Sequence, residues 1–191
     1  MAGCGVDYVK AGIEPGDQAG RALRSLAELR LPSLVIVFLA DRGVDLRLAE
    51  EASAMGFAGL MVDTGDKTAG SLLRHADPRA LRALISIARR RGCLSGLAGS
   101  LGRGDVSLLR ELAPDFAGFR GALCDGDRRG RLDADKVRAL RMALRGEEAA
   151  ASDDGDAGAG WRQRGATLPD AGVESSIRIR GNSFRPSNSI E

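Results

Sequence analysis

In the stretch GLMVDTGDKTAG, residues 59 to 70, an apolar run ends in Asp63 and a lysine, Lys67, follows four residues later. A carboxylate and an ammonium are costly in a core unless paired. Both are useful just past a strand end, where parallel α/β proteins build their sites. A second lysine, Lys10, stands inside the run VDYVKAGI, between Val9 and Ala11. Two readings of Lys10 are open. It snorkels from its strand to a surface carboxylate, or it sits in a desolvated mouth, its pKa lowered until it acts as a base near neutral pH. In the second case Asp63 orients substrate hydroxyls or relays protons. Lys67 lies in a loop, where a lysine is often just solvated.

The strand ends LAGS and RGAL form a related pair. Small residues at Gly99 and Ser100, then Arg120 and Gly121 one βα unit later, let backbone N–H groups and a guanidinium approach an anion. The last two βα loops of a barrel commonly hold phosphate in this way. The same glycines could equally serve only their turns. His75, the single histidine, lies in a polar helix entry with no nucleophile nearby and reads as a surface residue. No G-x-S-x-G elbow is present, and GSLGRG lacks the Gly-Lys-Ser/Thr ending of a Walker loop.

These residues need elements to position them. Five apolar runs, at 6–13, 33–40, 57–63, 93–100 and 116–123, are near-continuous, as strands covered on both faces are. Amphipathic helices are expected between them, at 17–30, 44–55, 77–92, 105–112 and 133–145. Asp77 as N-cap, Pro78 behind it and a closing run of arginines before Gly92 mark the third. Five βα units in a row imply a parallel sheet with right-handed crossovers, either doubly wound or part of a (βα)8 barrel. Beyond Gly146 the pattern stops. Residues 1–146 are therefore read as the folded domain and 147–191 as a low-complexity, disordered tail.

The net charge of +2 conceals a split, because the tail holds eight acids against five basic residues and leaves the body at +5. With only 4% aromatic residues to stack on bases, that mild basicity argues against nucleic-acid binding. Three cysteines without a C-x-x-C pair, and no His/Cys cluster, argue against a metal centre and fit a reducing cytoplasm. No apolar run approaches the roughly 20 residues that span a bilayer, so no membrane contact is expected.

The segments GVDYVKAGI, GFAGLMVDTGDKTAGSLL, GCLSGLAGSL and FAGFRGALCDGDRRGRLDADKVRAL resemble, in order and spacing, the (5-formylfuran-3-yl)methyl phosphate synthase family of methanofuran biosynthesis. The resemblance covers most of residues 3–146. It implies a (βα)8-barrel lyase that condenses two glyceraldehyde 3-phosphate molecules, with loss of phosphate and water and without metal or organic cofactor. It also implies roles. Lys10 matches the lysine taken as proton acceptor, Asp63 and Lys67 match the acid and lysine of the sixth strand and its loop, and Ser100, Arg120 and Gly121 match the phosphate-contacting region. There is a departure. VDYVKAGI resembles the family's fourth strand, so the five units correspond to strands four to eight, an incomplete TIM barrel. The imine-forming lysine of the second strand has no counterpart. Without it an aldehyde cannot be activated as an imine, and the alternative function is an inactive phosphate-binding or interaction remnant. Open edges at VDYVKAGI and FAGFRGAL are expected to drive homo-oligomerisation.

Overall fold

The computed structural model describes residues 6–66, 68, 70–147 and one further strand, 175–178. Five strands, β1 (Val9–Ile13), β2 (Leu34–Leu39), β3 (Gly59–Asp63), β4 (Leu94–Leu97) and β5 (Phe116–Phe119), run parallel in sequence order. Helices α1 (Ala19–Glu28), α2 (Leu46–Ser53), α3 (Pro78–Arg90) and α4 (Val106–Leu112) connect them, and α5 (Ala134–Arg145) follows β5.

Helix boundaries follow their caps. Asp45, Asp77 and Asp133 each accept backbone N–H bonds from the first turn of α2, α3 and α5, satisfying donors that a helix start leaves without partners. Gly146 ends α5 at φ 75°, the left-handed conformation a C-cap favours. α3 buries Leu81, Leu84, Ile85 and Ala88 along one face, each large side chain contributing about 1.5–3 kcal/mol of burial.

The core divides by strand alternation. Leu34, Ile36 and Phe38 of β2, Leu60 and Val62 of β3, Leu97 of β4 and Phe119 of β5 pack with the helices in one large cluster. Val35, Val37 and Met61 face the other way and form a small cluster with Ala58, Ala98, Leu39 and Phe116 that contains no helical residue. All five helices thus cover one face. A doubly wound sheet would put helices on both faces, so of the two windings left open by the sequence the structure selects the one-sided one. Barrels use that winding, but the described strands form an open sheet with edges at β1 and at the far side of β5's partner.

Two expectations are corrected at that second edge. A sixth strand, β6 (Ser175–Arg178), pairs antiparallel with β5, Phe116 opposite Arg178 and Phe119 opposite Ser175. Four residues of the segment read as disordered are therefore a strand, and the edge of FAGFRGAL read as open is paired. Ladder hydrogen bonds are made by backbone alone; a strand of this kind needs no apolar period and leaves no compositional mark. The remainder of the 148–191 segment lies outside the described residues.

Candidate active site

The carboxyl ends of β3, β4 and β5 converge on one cavity of about 260 Å³. Asp63 lines it from the last position of β3, Gly99 and Ser100 from the turn after β4, and Arg120 and Gly121 from the turn after β5. The structure thus brings together five of the seven residues expected to carry the chemistry. A volume below the 300–1,000 Å³ of pockets for drug-sized ligands suits a small metabolite.

The turn after β4 is tight for a steric reason. Gly99 has φ 113°, and a Cβ there would lie 2.8 Å from Thr64 Cγ2 and 3.0 Å from the Thr64 nitrogen. Only glycine lets the ends of β3 and β4 approach this closely. Ser100 follows at φ 46°, a left-handed conformation uncommon outside glycine and frequent at functional sites. Leu72 N–H holds the turn by donating to the Gly99 carbonyl at 2.8 Å. Between β4 and β5 the Phe116 ring lies across Gly96, where a Cβ would run into the ring.

The third wall is a folded lobe between β5 and α5. Arg120, which lines the cavity, donates from Nε to the Arg128 carbonyl at 3.0 Å. Cys124, buried, donates its thiol to the Arg120 carbonyl at 3.2 Å. Lys136 of α5 donates to the Cys124 carbonyl at 2.6 Å, and Asp125 N–H donates to Arg131 O at 2.9 Å. Gly130 is obligatory here, since a Cβ would sit 1.8 Å from the Asp125 carbonyl oxygen. Arg128 itself lines the cavity. Sequence reasoning missed it; the only signal was its place in the run GDRRGR. Two guanidinium groups and one carboxylate then share a small concave site, a balance that favours an anion.

Asp63 is buried at 8% exposure, and its Oδ1 accepts Thr64 N–H at 2.7 Å. Neighbouring this end of the sheet, Asp41 accepts Gly65 N–H at 2.7 Å and Asp66 N–H at 3.0 Å. Those two bonds, the Gly65 bond foremost, hold its carboxyl below the ordinary value of 3.8.

Lys10 stands elsewhere. It is the second residue of β1, opposite Val35, which is opposite Gly59, so it is in register with the start of β3 rather than with Asp63. Val9 and Ala11 pack toward the helices, which puts Lys10 on the helix-free face with Asp63. It is exposed and does not line the cavity. The desolvated mouth expected around it is not formed by the described residues. Lys67 lies outside the described residues. Among the described residues no group of three or more His, Cys, Asp or Glu side chains could hold a metal, and no helix is long and apolar enough to cross a membrane.

The family model of 4-HFC-P synthase matches residues 1–141. The chain belongs to that family. It is 30% identical over 149 residues to the (5-formylfuran-3-yl)methyl phosphate synthase of Methanosarcina acetivorans, covering 71% of this chain and 64% of that protein. It is 32% identical over 154 residues to the synthase of the same name from Methanothermobacter thermautotrophicus, covering 73% and 65%. A Methylorubrum extorquens protein provisionally given that name is 38% identical over 147 residues, covering 76% of this chain and 61% of its own length. The chain thus spans less than two thirds of each of these synthases. The whole cavity of this family member, from Asp63 to Arg128, falls within the matched residues.

Proposed function

We propose that the chain carries the phosphate-holding portion of a (5-formylfuran-3-yl)methyl phosphate synthase of methanofuran-type cofactor biosynthesis, a lyase that joins two glyceraldehyde 3-phosphate molecules with loss of phosphate and water. The observation that carries this reading is the single cavity gathering Asp63, Gly99, Ser100, Arg120 and Gly121 at three successive strand ends, in a chain of that family. A phosphate dianion enters against the Arg120 and Arg128 guanidinium groups and the small-residue turn at Gly99 and Ser100. Charge-assisted hydrogen bonds of this kind are the strong ones, and they fix the aldehyde end of the molecule toward Asp63. Carbon–carbon bond formation requires loss of a proton next to a carbonyl, and the eliminations that follow require protonation of the leaving oxygen. Asp63, buried beside the cavity, relays these protons. Lys10 and Lys67 act as base and as substrate ligand once the helix-free face is covered by the units corresponding to the family's first three strands.

Incubation with glyceraldehyde 3-phosphate, of the chain as it stands and of a version carrying those units from a family member, tests this through furan-aldehyde absorbance. Product from the extended version is expected. A correctly folded extended protein that forms none overturns the reading.

A further inference from the structure

We propose that Asp41 is a positioning residue of this site: its carboxylate clamps the turn after β3 and so sets where the Asp63–Asp66 segment stands against the substrate. The proposal rests on the reading above, that the end of β3 faces a phosphorylated aldehyde.

β2 and β3 are neighbours, with Leu39 opposite Asp63. Two residues beyond Leu39, Asp41 reaches across to the turn that leaves β3. One carboxylate oxygen takes Gly65 N–H at 2.7 Å and the other takes Asp66 N–H at 3.0 Å. Both oxygens are thus committed to one loop, 24 and 25 residues away in sequence. The fit is close, because a Cβ on Gly65 would lie 3.1 Å from Asp41 Oδ2. The next residues continue the device. Asp66 Oδ1 accepts both the backbone N–H and the hydroxyl of Thr68, at 2.8 and 2.7 Å. Asp63 Oδ1 in turn accepts Thr64 N–H at 2.7 Å. Three carboxylates, Asp41 just after β2, Asp63 at the end of β3 and Asp66 in the loop beyond it, therefore hold residues Thr64, Gly65, Asp66 and Thr68. Each oxygen takes one N–H, so an amide in the same orientation would turn its own NH2 group toward one of the two donors. The same two bonds lower the Asp41 pKa, the direction expected of N–H donors that favour the ionised form.

The test uses the whole chain, with inorganic phosphate and glyceraldehyde 3-phosphate as separate probes by titration calorimetry. Inorganic phosphate needs only the turns after β4 and β5, whereas the aldehyde end of the longer probe reaches the β3 turn. Asp41→Asn is expected to weaken glyceraldehyde 3-phosphate about tenfold, the value of one charge-assisted hydrogen bond. It should leave inorganic phosphate within about twofold, lower the melting temperature only slightly at neutral pH, and speed amide exchange at Gly65 and Asp66. Gly65→Ala, which keeps the carboxylate but crowds it, should show the same pattern more weakly and add nothing to Asp41→Asn. If Asp41→Asn does not fold, Gly65→Ala decides alone. A parent that binds both probes, with variants that bind both equally well or lose both by the same factor, overturns the positioning role only. A parent that binds neither probe overturns the site reading and the role with it.

Discussion

The two flanks of the sheet are built to different standards. At β5 the strand is paired on both sides, by β4 and by the antiparallel β6, and the lobe beyond it is tied by the Arg120, Cys124 and Lys136 hydrogen bonds to backbone carbonyls. At β1 one side has no partner strand among the described residues, alternate residues are exposed, and Val6 and Tyr8 at its entry stand 51% and 38% in solvent. Each flank carries a residue that the sequence singles out as a candidate, Arg120 on one and Lys10 on the other. Anion binding asks for fixed donors, and Arg120 and Arg128 already line one cavity. Proton abstraction by a lysine asks for desolvation, which an edge strand with an uncovered inner face does not supply. On the proposed reading, the anion-binding half of this site is self-contained, and the proton-transfer half depends on what lies against β1.

Glycine substitutions put the largest strain on that contrast. Gly130→Ala forces a Cβ into the Asp125 carbonyl and should cost about 4 kcal/mol or more, in the range reserved for disrupted networks and severe overpacking; urea denaturation and loss of phosphate binding would report it. Gly12→Ala in β1 meets nothing within 4 Å and should change stability by no more than about 0.5 kcal/mol. Equal costs at the two sites would remove the distinction between the flanks. One step smaller, Arg120→Ala should weaken inorganic phosphate by about 10- to 100-fold, corresponding to one or two charge-assisted hydrogen bonds, while Lys10→Ala leaves it unchanged. Phosphate binding lost in Lys10→Ala would show that the halves are coupled after all. Smaller again is the effect at the edge. The open side of β1 should make the chain self-associate, and Gly12→Lys, which places a charge there without a clash, should shift the light-scattering mass toward the monomer, as edge lysines do.

Much of this was legible because local chemistry dictates it. Asp77 and Pro78 announced α3, Asp133 and Gly146 bracketed α5, and each does its expected work at a helix end. The apolar runs located all five parallel strands. They did not set the register: VDYVKAGI begins at residue 6, but β1 begins at Val9 and pairs Lys10 with Val35, so Lys10 falls early in the strand. Register is decided by pairing between segments, which no single run contains. Arg128, and the partners of Asp41 though not its place at a strand end, were obscure for the same reason. Arg128 enters the cavity only because Gly130 and Cys124 fold the lobe back, and the Asp41 clamp joins residues 24 and 25 positions apart. β6 was hidden because its pairing is made by backbone, in a stretch whose composition is polar.

Acid is the mildest probe, and it reaches both flanks of the cavity at once. Asp41, at the β3 turn, and Asp133, at the start of α5 behind the lobe, both have carboxyls held below the ordinary value of 3.8, Asp41 chiefly by Gly65 N–H and Asp133 chiefly by Lys136 N–H. A carboxylate with a depressed folded-state pKa stabilises the fold fully above its unfolded value, and that contribution fades as pH falls through the folded one. Between about pH 5 and pH 2 the parent's melting temperature should therefore decline, and Asp41→Asn and Asp133→Asn should each decline less steeply. Both groups are well solvated, so the difference will be small. Amide exchange separates them: acidification should release Gly65 and Asp66 through Asp41, and Asp135 and Lys136 through Asp133. In Asp133→Asn the acid-induced release at Gly65 and Asp66 should persist unchanged. Its disappearance there would mean that the β3 turn and the β5–α5 lobe open together, as one cooperative unit rather than as two independently fastened walls.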